Sequence, residues 1–256
     1  MSHSLSEKTQ AGAGGTPAAS ARELYKVYGT GDTEVRALDG ISVDFSSGQF
    51  TAIMGPSGSG KSTLMHCLAG LDRPSAGSVR IGETELTGMK DKKLTEIRRD
   101  EIGFVFQSFN LVPTLTAREN ITLPAGIAGR KVDQQWFDQV IDRLGLAGRL
   151  DHRPAEMSGG QQQRVACARA LVGRPRILFG DEPTGNLDSN SSAEVLSILR
   201  SAVDDYSQTV VIVTHDPRAA SYADRVLFLA DGKLRHELAS PTSDAILDAM
   251  RALEEI

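Results

Sequence analysis

The 256-residue sequence has only two cysteines, one tryptophan and 5% aromatic residues, and it carries no excess of positive charge. Cys67 and Cys167 stand far apart, with none of the CxxC or Cys/His spacing of a zinc site. Neither a disulfide framework nor structural zinc is expected, and each cysteine reads as a small packed residue on a helix in a reducing compartment. The formal net charge of -5 argues against a nucleic-acid partner, because a phosphate backbone demands a basic face. No apolar run approaches the ~18 residues that a membrane-spanning helix needs. The N-terminus also lacks the charged start and apolar segment of a signal peptide. Work at a membrane would therefore require another chain to hold this one there. What is present, 40% hydrophobic and 24% charged residues, is ordinary globular composition, enough for one large α/β domain or a core with an inserted lobe.

Residues 1 to about 20 are rich in Ala, Gly, Ser and Thr; they cannot bury enough surface to offset their ordering entropy and are expected as a disordered tail. A single domain is expected over 21–236, with a C-terminal extension at 237–256. Short apolar alternations at Leu24, Val27 and Tyr28, then at Val35, Leu38, Ile41, Val43 and Phe45, predict a half-buried antiparallel sheet. Strands are expected at Phe50–Met54, Ile102–Phe106, Ile177–Phe179, Val210–Val213 and Leu227–Leu229, and helices from Lys61, Val132, Gly160 and Ser191. That alternation predicts a largely parallel sheet covered on both faces. The helical spacing of the middle region predicts a lobe, about 110–165, inserted in the core.

Gly55-Pro56-Ser57-Gly58-Ser59-Gly60-Lys61-Ser62 fits the phosphate-binding loop. Its glycines let successive N–H groups turn inward around anionic oxygens, at the positive end of the helix that follows. Lys61 would reach the β- and γ-phosphates, and the Ser62 hydroxyl would ligate Mg²⁺. Ile177-Leu178-Phe179-Gly180-Asp181-Glu182 supplies the complement. Asp181, at the carboxyl edge of a strand, would hold Mg²⁺, and Glu182 would polarise a water for attack on the γ-phosphate. Gly180 interrupts the apolar run. Ser158-Gly159-Gly160-Gln161 reads as a helix N-cap with exposed backbone amides. A helix start so far along the chain from Lys61, beyond a lobe, cannot easily reach back to its own phosphate loop. It is either a plain cap or an offer to the γ-phosphate held by a second copy, and the other motifs around it favour the second reading.

From about Glu23 to Lys233 the chain resembles the nucleotide-binding subunit of an ABC transporter. The resemblance implies an α/β fold: a P-loop NTPase core with a mostly parallel sheet, an N-terminal antiparallel β subdomain and an inserted α-helical lobe. It also implies that Gln107, after Phe104-Val105-Phe106, senses Mg²⁺ and the movement of the lobe. Thr63 continues the phosphate loop, and Met157 replaces the leucine that precedes the family's signature. Asp188 in Asn186-Leu187-Asp188 would face the partner subunit, His215 would hydrogen-bond the γ-phosphate, and Tyr28 would stack on adenine. The stretch from Gln107 to Asn120 is similar to the branch serving FtsX-like permeases, where it lines a groove for a cytoplasmic coupling helix. The implied protein is an ATPase using ATP and Mg²⁺ as a pair of nucleotide-binding subunits on such a permease, peripheral to the cytoplasmic face of the plasma (inner) membrane. Export or envelope work is implied, and signalling through the permease without transport is the alternative. Chromosome-type relatives insert a long coiled coil that is missing here, and translation-type relatives usually carry two cassettes.

Overall fold

The computed structural model describes residues 15–254. Its strands begin with β1 (Ala19–Tyr28), β2 (Val35–Phe45), β3 (Phe50–Met54), β4 (Ala76–Ile81) and β5 (Thr84–Glu85). They continue with β6 (Ile102–Phe106), β7 (Ile177–Asp181), β8 (Thr209–Val213), β9 (Arg225–Ala230) and β10 (Lys233–Ala239). The helices are α1 (Lys61–Leu68), α2 (Asp91–Glu101), α3 (Ala117–Ile127), α4 (Gln134–Arg143), α5 (Gly159–Val172), α6 (Ser189–Tyr206), α7 (Pro217–Ala220) and α8 (Ser243–Glu254).

A four-stranded antiparallel sheet has the order β2-β1-β4-β5, and a six-stranded sheet has the order β10-β9-β3-β8-β7-β6. In the larger sheet all pairings are parallel except β9 with β10. Because side chains alternate across a strand, its central strands feed two separate cores. Phe50, Ala52, Leu178, Val210, Ile212, Val226 and Phe228 face the core that includes α5, α6 and the helical lobe. Ile53, Phe179, Val211, Val213, Leu227 and Leu229 face the core shared with α1 and the smaller sheet. Gly180 breaks the apolar run of β7 for a packing reason: a Cβ there would lie 3.0 Å from Ile212 Cγ2 and 3.3 Å from Pro183 Cγ.

The expected domain limits shift at both ends. Of the tail expected at 1–20, residues 1–14 lie outside the described residues. Ala18 and Ala19 are buried, and Ala18 N–H donates to Phe45 O at 2.8 Å, so the folded domain is already in place before residue 21. Residues 237–256 form no separate extension within the described range. Glu237–Ala239 belong to β10, and α8 buries Ile246 and Leu253 against the larger core. The first of the middle helices, α2, also stands apart from the lobe, since Leu94 and Ile97 pack in the core of α1 and the smaller sheet.

The loop leading into the lobe is organised by one side chain. Asn120 is buried; its Oδ1 accepts from Val112 N–H at 2.7 Å, and its Nδ2 donates to the carbonyls of Val112, Leu115 and Thr116 at 3.0–3.2 Å. Asn120→Ala would take the side-chain partner from Val112 N–H and from the Leu115 carbonyl, while the carbonyls of Val112 and Thr116 would keep Leu115 N–H and Asn120 N–H. It is expected to cost about 1–2 kcal/mol, read as a fall of a few degrees in Tm by calorimetry. A Tm equal to the parent's would show that the loop holds its shape by other means.

Candidate functional site

The parallel register places Ile53 opposite Val213, Val213 opposite Asp181 and Asp181 opposite Phe106. Four strand ends therefore share one row, and the residues that follow them emerge together: Gly55 after β3, His215 after β8, Glu182 after β7 and Gln107 after β6. This is the carboxyl edge, where open α/β sheets take their ligands.

Between β3 and α1 the loop is tied tightly to the sheet. Gly55 has φ 146° and Gly60, the N-cap of α1, has φ 98°. A side chain at Gly55 would run into the Leu229 carbonyl, and one at Gly60 into the Ala37 carbonyl. Only glycine allows that backbone and that approach together. Pro56 O accepts from Lys61 Nζ at 2.7 Å, and Ser59 O accepts from Gly232 N–H at 3.2 Å. Ser57 and Gly58 form the exposed crown. The Ser59 hydroxyl is buried and has no hydrogen-bond partner among the described residues. Partial burial pushes the Lys61 ammonium below the ordinary lysine range, against the attraction of Glu182 and Asp181. A glycine-built hollow at a helix N-terminus, holding a partly desolvated cation and an orphaned hydroxyl, is suited to a polyphosphate.

The hydroxyl of Ser62 donates to Asp181 Oδ1 at 3.2 Å, which brings two hard oxygen donors side by side. This pair fits Mg²⁺, which takes one or two protein oxygens and completes its shell with water and phosphate. Among the described residues no group of three or more His, Cys, Asp or Glu side chains is placed to hold a metal, so such a cation would need the nucleotide's own oxygens. The structure adds a residue that sequence reasoning missed: His66 Nε2 lies 3.7 Å from Asp181 Oδ2. The nearby Asp181 carboxylate raises the His66 pKa from its ordinary value, against partial burial. Its spacing from Ser62 was the available signal, because residues four apart share a helix face.

Glu182 follows in the left-handed region at φ 47°, its N–H donating to Val213 O at 3.0 Å. Its Oε1 lies 2.8 Å from His215 Nδ1, so the expected phosphate-sensing histidine here holds the carboxylate. Gln107 is held by Asn186. Its Nε2 donates to Asn186 Oδ1 at 3.1 Å and its carbonyl accepts from Asn186 Nδ2 at 3.2 Å, so the pair links β6 to the turn before α6. The structure thus joins Ser62 to Asp181 and Glu182 to His215, while the Gln107 side chain bonds to neither pair.

Ser158 caps α5 in a reciprocal box: its hydroxyl accepts from Gln161 N–H at 3.3 Å, and Gln161 Oε1 accepts from Ser158 N–H at 3.0 Å. The N–H groups of Gly159 and Gly160 stay free of intrahelical partners, as the first turn of a helix leaves them. Gly160 is wedged against α6, since a Cβ there would lie 2.7 Å from Ser191 Oγ. Asp188 caps α6, accepting from the N–H groups of Ser191 and Asn190 at 3.0 Å and from Ser191 Oγ at 2.7 Å. These hydrogen bonds, those from Ser191 foremost, hold its carboxyl below the usual range. Tyr28 presents a ring that is 43% exposed. Its hydroxyl donates to Asp72 Oδ2 at 2.6 Å, and Lys26 Nζ stands 4.7 Å from the ring centroid and 2.6 Å from Asp72 Oδ1. Partial burial and the Asp72 bond raise the phenol above its ordinary pKa, with Thr63 of α1 opposing. Tyr28 is therefore a fixed, neutral aromatic platform.

A family model described as "ABC transporter" matches residues 38–185. Over 214 residues the chain is 46% identical to the macrolide export ATP-binding/permease protein MacB of Bdellovibrio bacteriovorus, covering 84% of this chain and 33% of that protein. The chain thus spans about a third of the length of such relatives. Over 220 residues it is 44% identical to the bacitracin export ATP-binding protein BceA of Halalkalibacterium halodurans, covering 85% of this chain and 87% of that one. The structure superposes on a dimeric post-hydrolysis state of the ATP-binding cassette MJ0796 bound to ADP and Pi, with a TM-score of 0.78 and 38% identity, covering 88% and 99% of the two chains.

Proposed function

The chain belongs to the ABC transporter family, and on that premise we propose that it is the ATP-hydrolysing subunit of a membrane transporter. Two copies would close around two ATP molecules on an FtsX-like permease, at the cytoplasmic face of the inner membrane. Among the described residues no helix is long and apolar enough to cross a membrane, so attachment falls to the permease. Export or another envelope-directed movement is the work that the exporters among its relatives suggest.

One observation carries this reading. A single row of strand ends delivers the glycine loop, Asp181, Glu182, His215 and Gln107 to the same edge. In the proposed cycle, Tyr28 receives the adenine and the loop amides from Ser57 to Thr63 receive the phosphates, with Lys61 on the β- and γ-oxygens. Ser62 and Asp181 would hold Mg²⁺, which neutralises the charge on those oxygens when bound. Glu182, oriented by His215, takes a proton from the attacking water. The free amides of Gly159 and Gly160 complete the site from the second copy, beside Asp188. Tighter binding of ATP to the closed pair than to the open one supplies the stroke.

Affinity purification of the tagged chain from native membranes is the test. A polytopic membrane protein should come with it, and ATP turnover should rise in that complex. Nucleic acid retained in place of a membrane protein would overturn the assignment.

A further inference from the structure

Gln163 is buried at 0% exposure in α5, between the residues that cap the helix and the residues that fill the core. Its Nε2 donates to the carbonyl of Phe106 at 3.1 Å and also to the carbonyl of Pro183. Both partners only accept, so the donor end of the amide must face them. Its Oε1 is buried without a partner among the described residues. The two carbonyls are not incidental ones. Phe106 is the residue before Gln107, and Pro183 is the residue after Glu182.

One amide group therefore ties the helix headed by Ser158-Gly159-Gly160 to the peptide entering Gln107 and to the peptide leaving the carboxylate. The surroundings leave little slack. Gly103 lets α5 press on β6, since a Cβ there would stand 2.9 Å from Ala170 O. Glu182 sits in a backbone conformation that L residues rarely adopt, with its N–H bound to Val213 O. Gln163 is thus a buried hydrogen-bonding link from α5 to the segments that carry Gln107 and Glu182. Packing alone would be served better by an apolar side chain, because half of this amide's hydrogen-bonding capacity is unmet.

We infer that Gln163 is a positioning residue that couples the seating of α5 against a second copy's nucleotide to the alignment of Glu182 and Gln107. The inference rests on the paired-ATPase reading above. It assigns to Gln163 no contact with the nucleotide.

The test is Gln163→Met, which fills similar space without a donor, measured for ATP turnover, ATP binding, Tm and ATP-driven dimerisation in parallel. The expected result is a kcat about 10- to 100-fold lower, with KM, nucleotide affinity and dimerisation within a few-fold of the parent. Gln163→Asn keeps the amide but draws it back by one methylene, and should give the same split if the methionine variant folds poorly. Turnover equal to the parent's in a folded variant would overturn the inference and leave the function standing. Dimerisation lost in step with turnover would also overturn it, since Gln163 would then only hold the helix. A parent chain with neither ATP-driven dimerisation nor turnover would overturn both.

Discussion

Glu182→Gln is expected to lower ATP turnover by roughly 10²- to 10³-fold while leaving the ATP-bound pair intact. The substitution keeps the volume of the side chain, and an amide oxygen can still accept from His215 Nδ1, which lies 2.8 Å from Glu182 Oε1. The backbone at φ 47°, secured by the N–H bond to Val213 O, has no reason to change. Only the capacity to take a proton is lost. With binding preserved and the step that ends the closed state slowed, ATP should accumulate in a dimer. Steady-state phosphate release reads the first effect, and light scattering after gel filtration with ATP and Mg²⁺ reads the second. Parental turnover by the variant would remove Glu182 from the base position and leave the phosphate loop unaffected.

The parts of this protein that could be read in its sequence are those whose chemistry is local. The run from Gly55 to Ser62 must be contiguous, because successive amides cradle one ligand, and Asp181 and Glu182 must be adjacent at the end of an apolar strand. The alternation of Val210 to Val213 shows both cores at once, two residues to each side. Sequence reading was weaker where packing depends on backbone pairing. Ala18 and Ala19 carry too little apolar surface to stand out, yet they are buried by the ladder to Phe45. The strand β10 is mostly exposed and polar, so Glu237–Ala239 read as an extension although they complete a sheet.

Contacts between distant segments were hidden for a different reason. The partnership of Gln107 with Asn186 and of Gln163 with two separate carbonyls depends on the order of strands in the sheet, which no local pattern encodes. Gly180 shows the converse. In the sequence it reads as a flaw in a strand, and in the structure it leaves room for Ile212 and Pro183, which a Cβ would crowd at 3.0 and 3.3 Å.

Mixing two inactive variants should restore activity, because the proposed site takes one half from each copy. Lys61→Ala removes the ammonium from the phosphate loop and is expected to lower turnover at least about 100-fold. Gly159→Asp acts on the other half. A Cβ at Gly159 would meet only Leu187 Cδ2 and Phe109 Cζ at 3.6 Å, so the fold can take a side chain there. A carboxylate also suits the N-terminus of its own helix, yet it repels the γ-phosphate offered by a second copy. Each variant alone forms dimers in which both sites carry one defect. In a mixed dimer both defects fall on one site, and the other joins an unaltered phosphate loop to an unaltered Ser158-Gly159-Gly160. Equal mixing makes half the dimers mixed, so about a quarter of the parental sites should return. The parent's specific activity should also rise with protein concentration, since an unpaired chain holds two incomplete halves. A specific activity independent of concentration, together with no recovery on mixing, would mean that each chain completes its own site.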